Sequence, residues 1–315
     1  MSNYPDFQID SQWVTSRRGK KNQVDPFRPY GFFVEEERTR TGTIEEVATI
    51  LLVNKECPYK CLMCDLWKNT TDRTIPLGAI PEQIKYALSK LPKTEHIKLY
   101  NSGSFFDQAA IPLADYKEIA RLLEGFKTVV VESRPELINE NALLFNEFLK
   151  SDLEIAIGLE TVHLEVLQLL NKRMSLSDFE RSIRLLNKNE ISSRAFILLR
   201  PPFLSEQEGI HWAKKSIDYA FEVGVNSCII IPVRSGNGAM EELESKGYFE
   251  APDIKSIEKV VEYGIRLKKG NVFADLWDIE RFSKCNKCHN ERMNRLNHIN
   301  LSQVLLPVVS CSCVI

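Results

Sequence analysis

Three cysteines close together, Cys57, Cys61 and Cys64, are the residues whose spacing most directly indicates chemistry. They stand in the segment NKECPYKCLMCDLW with the spacing C-x3-C-x2-C, and the next thirty residues contain neither cysteine nor histidine. A structural zinc site fills all four positions of a tetrahedron, so it would need a further ligand such as His96 from another segment. Three thiolates on an iron–sulfur cluster would instead leave one iron with an open coordination position. The residue types alone leave three alternatives: a catalytic cluster, zinc, and buried thiols without a metal.

A second group of cysteines lies near the C-terminus. Cys285 and Cys288 form a C-x2-C pair, and 22 residues later Cys311 and Cys313 form a C-x-C pair. Two close pairs of thiols match a structural zinc site, and an auxiliary iron–sulfur cluster is the competing interpretation. Cys228 stands inside an apolar run and is predicted to be a core residue.

The composition predicts a folded protein with a sizeable core, because 43% of the 315 residues are hydrophobic and 27% are charged. The net charge of −2 gives no overall electrostatic attraction to nucleic acid. No segment approaches the roughly 18 consecutive apolar residues of a membrane span, and the N-terminus lacks the pattern of a secretory signal. We therefore expect a cytoplasmic protein without membrane association, whose reduced thiols are metal ligands and not disulfides.

The elements that must position these residues are read from the alternation of apolar runs and amphipathic stretches. The runs are nearly continuously apolar, as in a parallel sheet covered by helices, and the stretches 81–91 and 175–190 have helical periodicity. A spacing of about 30 residues indicates successive βα units. Six or seven units are too few for a complete eight-fold barrel, so the predicted fold is α/β, a partial (β/α)6 TIM-like barrel. The predicted strands are 47–53, 96–100, 128–132, 153–159, 194–199, 227–232 and 271–277.

The chain divides into three predicted regions. Residues 1–44 are expected to form an irregular N-terminal arm, 45–282 the barrel, and 283–315 a small cysteine-containing C-terminal extension. Cys57 follows the first predicted strand of the barrel directly. Since active sites of such barrels are built from the loops after the strands, the three-cysteine loop is predicted to lie in the active site.

The motif CPYKCLMC after a first strand resembles the radical S-adenosylmethionine (radical SAM) superfamily. The resemblance implies a [4Fe-4S] cluster on Cys57, Cys61 and Cys64, whose fourth iron binds the amino and carboxylate groups of SAM. It also implies reductive cleavage of SAM to a 5′-deoxyadenosyl radical that abstracts hydrogen from a substrate, with a flavodoxin- or ferredoxin-like one-electron donor. The chain departs from the family pattern at Met63, where an aromatic residue is usual.

The ends of later strands are similar to the branch that contains the Elongator catalytic subunit and the tRNA methylthiotransferases. Three segments carry this likeness: VESRPELI and IGLE, which end two successive predicted strands, and NKRM, which follows the next helical stretch. YNSGSFFD and LLRPPF mark two further strand ends. YNSGSFFD lacks the acidic residue that the family often has there. The resemblance implies no particular catalytic residue, but it implies that SAM is bound by Ser102, Gly103, Ser104, Glu132, Arg134, Glu160, Arg173 and Arg200.

A weaker resemblance to the archaeosine synthase radical SAM subunit and its bacterial relatives suggests a substrate. It implies a modified base in tRNA and, because the chain is not basic overall, a partner subunit that helps to bind the RNA. A substrate from natural-product, peptide or cofactor biosynthesis is the alternative within the same enzyme class. The alternative from another class is a non-catalytic scaffold in which both cysteine groups bind zinc.

Overall fold

One curved sheet of eight strands, which follow one another in chain order, organises the computed structural model of residues 4–313. The first two strands pair antiparallel, and every later pair is parallel. The strands are β1 Gly31–Arg38, β2 Ile44–Leu52, β3 His96–Asn101, β4 Thr128–Ser133, β5 Asp152–Glu160, β6 Ser192–Leu199, β7 Ser227–Pro232 and β8 Asn271–Ala274. The α-helices are α1 Ser11–Ser16, α2 Ala79–Leu88, α3 Tyr116–Leu122, α4 Glu140–Phe148, α5 Leu164–Leu169, α6 Leu176–Lys188, α7 Glu206–Glu222, α8 Ala239–Ser245, α9 Ile254–Leu267 and α10 His289–Ser302.

The predicted partial barrel is confirmed, and the seven predicted strands correspond to β2–β8. Helices between the parallel strands cover the outer face of the sheet and form the main hydrophobic core with it. In α6, Ser175 and Asp178 cap the first turn reciprocally, while Phe179, Ile183 and Leu186 are buried. The predicted strand 271–277 is shorter in the structure, because a turn begins at Asp275, whose side chain accepts a hydrogen bond from the backbone N–H of Trp277.

The expectation that residues 1–44 are irregular is wrong, because they contain α1 and β1. Strand β1 has the sequence GFFVEEER, whose mixed charge contributed to the prediction of an irregular arm. Phe32 and Val34 pack against the core, whereas Glu35 and Glu37 extend from the opposite face to the side chain of Lys98. The charges of β1 therefore find their partners on another strand, which the local sequence does not reveal.

Paired charges fill the barrel near the amino ends of the parallel strands. Arg194 Nη1 lies 2.9 Å from Glu37 Oε1, and Arg194 Nε lies 2.7 Å from Glu154 Oε1. Burial opposes ionisation of Glu37, but Arg194 and Lys98 outweigh it and lower its pKa to about 2. Glu37 and Glu154 are thus each paired with a cation of the protein. Neither carboxylate is left unpaired at this end of the barrel.

Helix α10 covers the open edge of β8. The Asn300 amide accepts a hydrogen bond from the N–H of Ala274 and donates one to its C=O, both at 2.8 Å. Gln303 does the same with Val272, at 2.8 and 3.0 Å. The region 283–315, predicted as a small cysteine-containing extension, thus contains a 14-residue helix that satisfies an edge strand. Within residues 4–313, no helix has the length and apolar character that crossing a membrane requires.

Candidate metal and cofactor site

The loop that carries Cys57 packs directly against the loop that follows β3. Asn54, just after β2, joins the two loops, because its amide donates to the C=O of Ser102 at 2.9 Å and accepts from its N–H at 3.1 Å. The next residue, Gly103, has a φ of +101°, and a Cβ added there would lie 2.9 Å from the Cβ of Cys57 and 3.0 Å from its Sγ. Only glycine fits this conformation and this close approach.

Two further asparagines hold the rest of the cysteine loop. Asn171 donates to the C=O of Lys60 at 2.7 Å. Asn237 donates to the C=O groups of Leu62 and Cys64, at 2.8 and 3.2 Å. The loop thus has a fixed path because side chains from two later parts of the chain bind its backbone.

Arg134, which follows β4, lies beside the second cysteine. Its guanidinium stacks on the ring of Tyr59 at 3.6 Å, and its Nη1 lies 3.7 Å from Cys61 Sγ. Its Nη2 donates to the C=O of Lys172 and pairs with Glu136 at 3.1 Å. Arg134 Nε is buried and has no hydrogen-bond partner among the described residues. A buried donor of this kind fits an additional acceptor bound beside Cys61.

The three thiols are suited to a metal centre. Burial raises the pKa of Cys57 and Cys64, and it raises the pKa of Cys61 although Lys172 and Arg134 act against it. A bound metal cation supplies the charge that keeps such thiols deprotonated. Among the described residues, this trio is not one of the groups whose ligand atoms all lie within 4.8 Å of one another. Wider separation fits a cluster in which each thiolate binds a different iron.

A buried ion pair lies at the end of β5. Glu160 has a φ of +64° and pairs with Lys172, whose Nζ also donates to the C=O of Gly158 at 2.7 Å. A Cβ on Gly158 would overlap both partners, so this glycine leaves room for the pair. The strand register shifts between Gly158 and Glu160, and this bulge turns the carboxylate towards Lys172.

Glu132 at the end of β4 is different, because no described residue hydrogen-bonds its carboxyl group. Burial raises the pKa of Glu132 to about 8; Lys172 acts against this shift and Glu160 adds to it. Ser104 and Ser133 lie near this strand end, with their hydroxyls 2.8 Å apart, and both are buried. Asn101 Oδ1, at the end of β3, is a further buried atom without a partner in the described structure.

Two residues predicted to bind the cofactor are engaged elsewhere. Arg173 is exposed, with a φ of +56°, and donates to Ser11 Oγ at 3.0 Å. Arg200 pairs with Glu206 at 2.6 Å and with Glu250 at 2.8 Å. The left-handed turn directs Lys172 inwards and Arg173 outwards, so Lys172 and not Arg173 faces the interior of the site. Arg200 is better explained as an anchor for two acidic side chains.

Sequence reasoning did not select several residues that organise the site. Lys172 belongs to the NKRM segment and Tyr59 to the cysteine motif, but neither motif predicts a role for these two residues. The sequence does contain a signal for the asparagines. Each stands beside a predicted strand end, a turn or a glycine-rich loop, where an amide side chain often binds the backbone. The residues not selected are Asn54, Tyr59, Asn171, Lys172 and Asn237.

An exposed aromatic residue stands at the same end of the sheet, after β8. Trp277 is 58% exposed, and its ring centroid lies 6.0 Å from that of Phe33 on β1. Arg234 joins this corner to the end of β7, because it pairs with Asp275 at 3.0 Å and donates to the C=O of Trp277 at 2.7 Å. These contacts hold Trp277 in place, while its indole ring stays accessible to solvent.

The C-terminal cysteines form a separate group. The Sγ atoms of Cys285, Cys288, Cys311 and Cys313 all lie within 4.8 Å of one another, and the four residues are free cysteines. Cys228 on β7 is fully buried and lies within the core.

Comparison with known proteins gives one family and several relatives. A family model described as the radical SAM superfamily matches residues 51–208. An uncharacterized protein of Methanocaldococcus jannaschii is 28% identical over 329 aligned residues, which cover 95% of this chain and 89% of that protein. Archaeosine synthase subunit beta of Thermococcus kodakarensis is 32% identical over 166 residues, covering 50% of this chain and 51% of that protein. The subunit of the same name from Methanosarcina acetivorans is 29% identical over 236 residues, covering 70% and 67%.

Two solved structures have a similar fold. An archaeal Elp3 from Methanocaldococcus infernus, with an N-terminal deletion, has a TM-score of 0.52 at 15% identity, over 71% of this chain and 59% of that chain. SuiB from Streptococcus suis has a TM-score of 0.50 at 12% identity, over 71% and 48%. At these identities the likeness concerns the fold alone.

The close approach of Gly103 to Cys57 predicts that Gly103→Ala lowers the iron retained after anaerobic reconstitution with iron and sulfide. The added Cβ displaces Cys57, and the left-handed backbone costs a further ~1–2 kcal/mol. Iron and sulfide per chain are the measurement. Gly125→Ala is the matched control, because a Cβ there meets nothing within 4 Å. Equal iron content in both variants would contradict the inferred contact.

The raised pKa of Glu132 predicts a pH-dependent stability. Folded protein keeps a proton that the unfolded chain releases, so the free energy of unfolding falls as pH rises from about 4.5 to about 8. Glu132→Gln should reduce this slope, measured by urea unfolding at a series of pH values. The exposed Glu147→Gln serves as the control and should leave the slope unchanged. Identical slopes for wild type and Glu132→Gln would rule out the shift.

Proposed function

This chain belongs to the radical SAM superfamily, and on that basis we propose that it cleaves SAM reductively at a [4Fe-4S] cluster held by Cys57, Cys61 and Cys64. The family assignment makes it a SAM-dependent radical enzyme and favours this over a non-catalytic zinc scaffold. When bound, the cluster and SAM supply an electron and a 5′-deoxyadenosyl radical that abstracts hydrogen from the substrate. The observation that carries the proposal is the loop of three thiols, which the protein holds in a fixed path beside a buried guanidinium nitrogen that has no hydrogen-bond partner among the described residues.

The residues near this loop have the chemistry needed to bind SAM. Arg134 and Lys172 are cations that suit its carboxylate, and Glu160 is an acceptor for its amino group or ribose hydroxyls. Glu132, with its raised pKa, can donate a proton in a hydrogen bond at neutral pH. The small side chains of the loop after β3 permit close approach of its backbone to the cofactor. The proposed cofactor-binding residues are Ser102, Gly103, Ser104, Glu132, Arg134, Glu160 and Lys172.

The location of the cysteine loop also fits an external electron donor. Pro58 is exposed, and a surface groove beside it is lined by Lys60 and Arg173. Arg173, together with Lys60 in its pair with Glu56, places positive charge next to the proposed cluster, which suits an acidic flavodoxin- or ferredoxin-like donor. Free thiols in this number are compatible with a reducing compartment, so the proposed location is the cytoplasm.

The test of the proposed reaction is formation of 5′-deoxyadenosine from SAM under anaerobic conditions with dithionite. Reconstituted wild-type protein should form it. A variant with Cys57, Cys61 and Cys64 all replaced by alanine should form none while keeping its circular dichroism spectrum. The control is Cys228→Ala, which removes a buried thiol from a different strand. Turnover by the triple variant, or none by a wild type that contains iron and sulfide, would refute the proposal.

For the substrate we propose a modified base in tRNA, recognised together with a partner subunit. Two relatives are named as beta subunits of archaeosine synthase, which supports both the RNA substrate and the partner. The net charge of −2 supports a partner as well, since binding of RNA phosphates requires cations that this chain does not provide in excess. The exposed indole of Trp277 suits stacking on an unpaired base.

The substrate proposal predicts deuterium transfer to 5′-deoxyadenosine from deuterium-labelled tRNA isolated from a strain that lacks this protein. The reaction mixture contains the reconstituted enzyme, SAM, dithionite and cell extract of the same strain as the source of the partner. Trp277→Ala should lower the transfer but leave SAM cleavage without tRNA unchanged, because the contacts of Trp277 are with Phe33, Arg234 and Asp275 and not with the cysteine loop. Leu164→Ala, which removes an exposed side chain on α5, should change neither rate. Transfer unaffected by Trp277→Ala would exclude the stacking role, and no transfer from tRNA would exclude the substrate.

A further inference from the structure

We propose that Cys285, Cys288, Cys311 and Cys313 bind one zinc ion, and that this ion fastens the C-terminal segment to α10. The Sγ atoms of Cys285 and Cys311 lie 3.9 Å apart, and those of Cys288 and Cys313 lie 3.6 Å apart. All four sulfurs fall within 4.8 Å of one another. A tetrahedral zinc ion with bonds of about 2.3 Å holds its sulfurs about 3.8 Å apart. The observed spacing is that of four ligands on a single ion.

The same spacing argues against an auxiliary iron–sulfur cluster. In a cluster with several irons the protein thiolates bind different metal atoms, so the sulfurs stand farther apart than in a single tetrahedron. The first cysteine group, Cys57, Cys61 and Cys64, does not meet the 4.8 Å limit that the C-terminal group meets. The sulfurs of the first group are therefore more widely spaced than those of the C-terminal group. This is the difference expected if the first group binds a cluster and the second a single ion.

The neighbouring side chains complete the site. Arg292 Nε lies 3.3 Å from Cys288 Sγ, and this arginine is 1% exposed. Its other nitrogens bond to Glu258 and to the C=O of Val309, at 3.1 Å for the latter. Zinc with four thiolates carries a net charge of −2, which a buried guanidinium offsets. A hydrogen bond to a ligating sulfur also fixes the orientation of that ligand.

The position of the four cysteines indicates what the ion does. Cys285 and Cys288 stand just before α10, whereas Cys311 and Cys313 follow a segment that runs back along this helix. Arg295 of α10 donates to the C=O of Pro307 at 2.8 Å, so the returning segment is bound along its way. Since all four ligands come from the protein, the site has no open position for a substrate. Its role is structural: it holds the helix that satisfies the edge of β8.

Metal analysis of the complete chain tests the proposal. Wild-type protein and the variant with Cys57, Cys61 and Cys64 replaced by alanine are compared for zinc, iron and sulfide per chain. About one zinc per chain is expected in both, with a shell of sulfurs at about 2.3 Å in zinc X-ray absorption. Because the triple variant lacks the ligands of the proposed SAM cluster, its zinc content is independent of whether the proposed catalytic function is correct.

Two variants connect the ion to its ligands and to its role. Cys311→Ser combined with Cys313→Ser should reduce zinc to less than about a tenth per chain, because two of four ligands are lost. It should also accelerate amide exchange at Val272 and Ala274, whose hydrogen bonds depend on α10. Leu164→Ala, which removes an exposed side chain on α5, is the control and should keep both the zinc and the slow exchange.

Each of the following results would overturn the proposal. Iron with sulfide in the triple alanine variant would indicate an auxiliary cluster at the C-terminal cysteines. A single iron without sulfide would indicate the same geometry with another metal. Unchanged zinc in the double serine variant, or wild-type protein without zinc, would show that these four cysteines are not the zinc site. If the double serine variant loses its zinc but amide exchange in β8 stays slow, the four cysteines bind zinc in the wild type, but the ion does not have the proposed structural role.

Discussion

The ion pair between Glu160 and Lys172 joins parts of the site that are distant in sequence. Lys172 binds the carboxylate and the C=O of Gly158 on β5, while its own C=O accepts from Arg134 after β4. Its neighbour Asn171 binds the backbone of the cysteine loop. A charge left without its partner in such a place costs several kcal/mol, on the order of 3–5. The stacked arginine, the bulge on β5 and one of the three asparagine anchors of the cysteine loop therefore meet at one buried contact.

The charged side chains at the two ends of the barrel differ: those near the amino ends of the strands are paired with one another, whereas some at the carboxyl ends have no partner among the described residues. Near the amino ends of the strands, Glu37 and Arg194 are fully paired, and the pKa of Glu37 is low. At the carboxyl ends, no described residue hydrogen-bonds the carboxyl group of Glu132, and Arg134 Nε is buried without a partner in the described part of the chain. Unsatisfied polar groups are costly in a folded chain unless a ligand completes them. The contrast supports the carboxyl ends as the place where a ligand binds, in line with the general behaviour of such barrels.

Much of this architecture could be predicted from the sequence, because strands buried in a parallel sheet consist of nearly continuous apolar residues. Strand β1 could not, since the charges of Glu35 and Glu37 are compensated only by Lys98 on another strand. The choice between Lys172 and Arg173 depends on a left-handed turn, which the sequence of two adjacent cations does not specify. The spacing of the C-terminal cysteines predicted a metal site but left zinc and a cluster open, because only the distances between the sulfurs distinguish them.

The amide side chains on α10 have a consequence for the behaviour of the protein in solution. The free edge of a parallel sheet is a template on which another molecule can add a strand, and this is a common route to aggregation. Asn300 and Gln303 occupy the hydrogen-bonding groups of Ala274 and Val272 in the manner of a neighbouring strand. The β8 edge of a sheet that stops short of a closed barrel is thereby protected from pairing with a second copy. The chain can keep one side of its barrel incomplete without the usual risk of polymerisation.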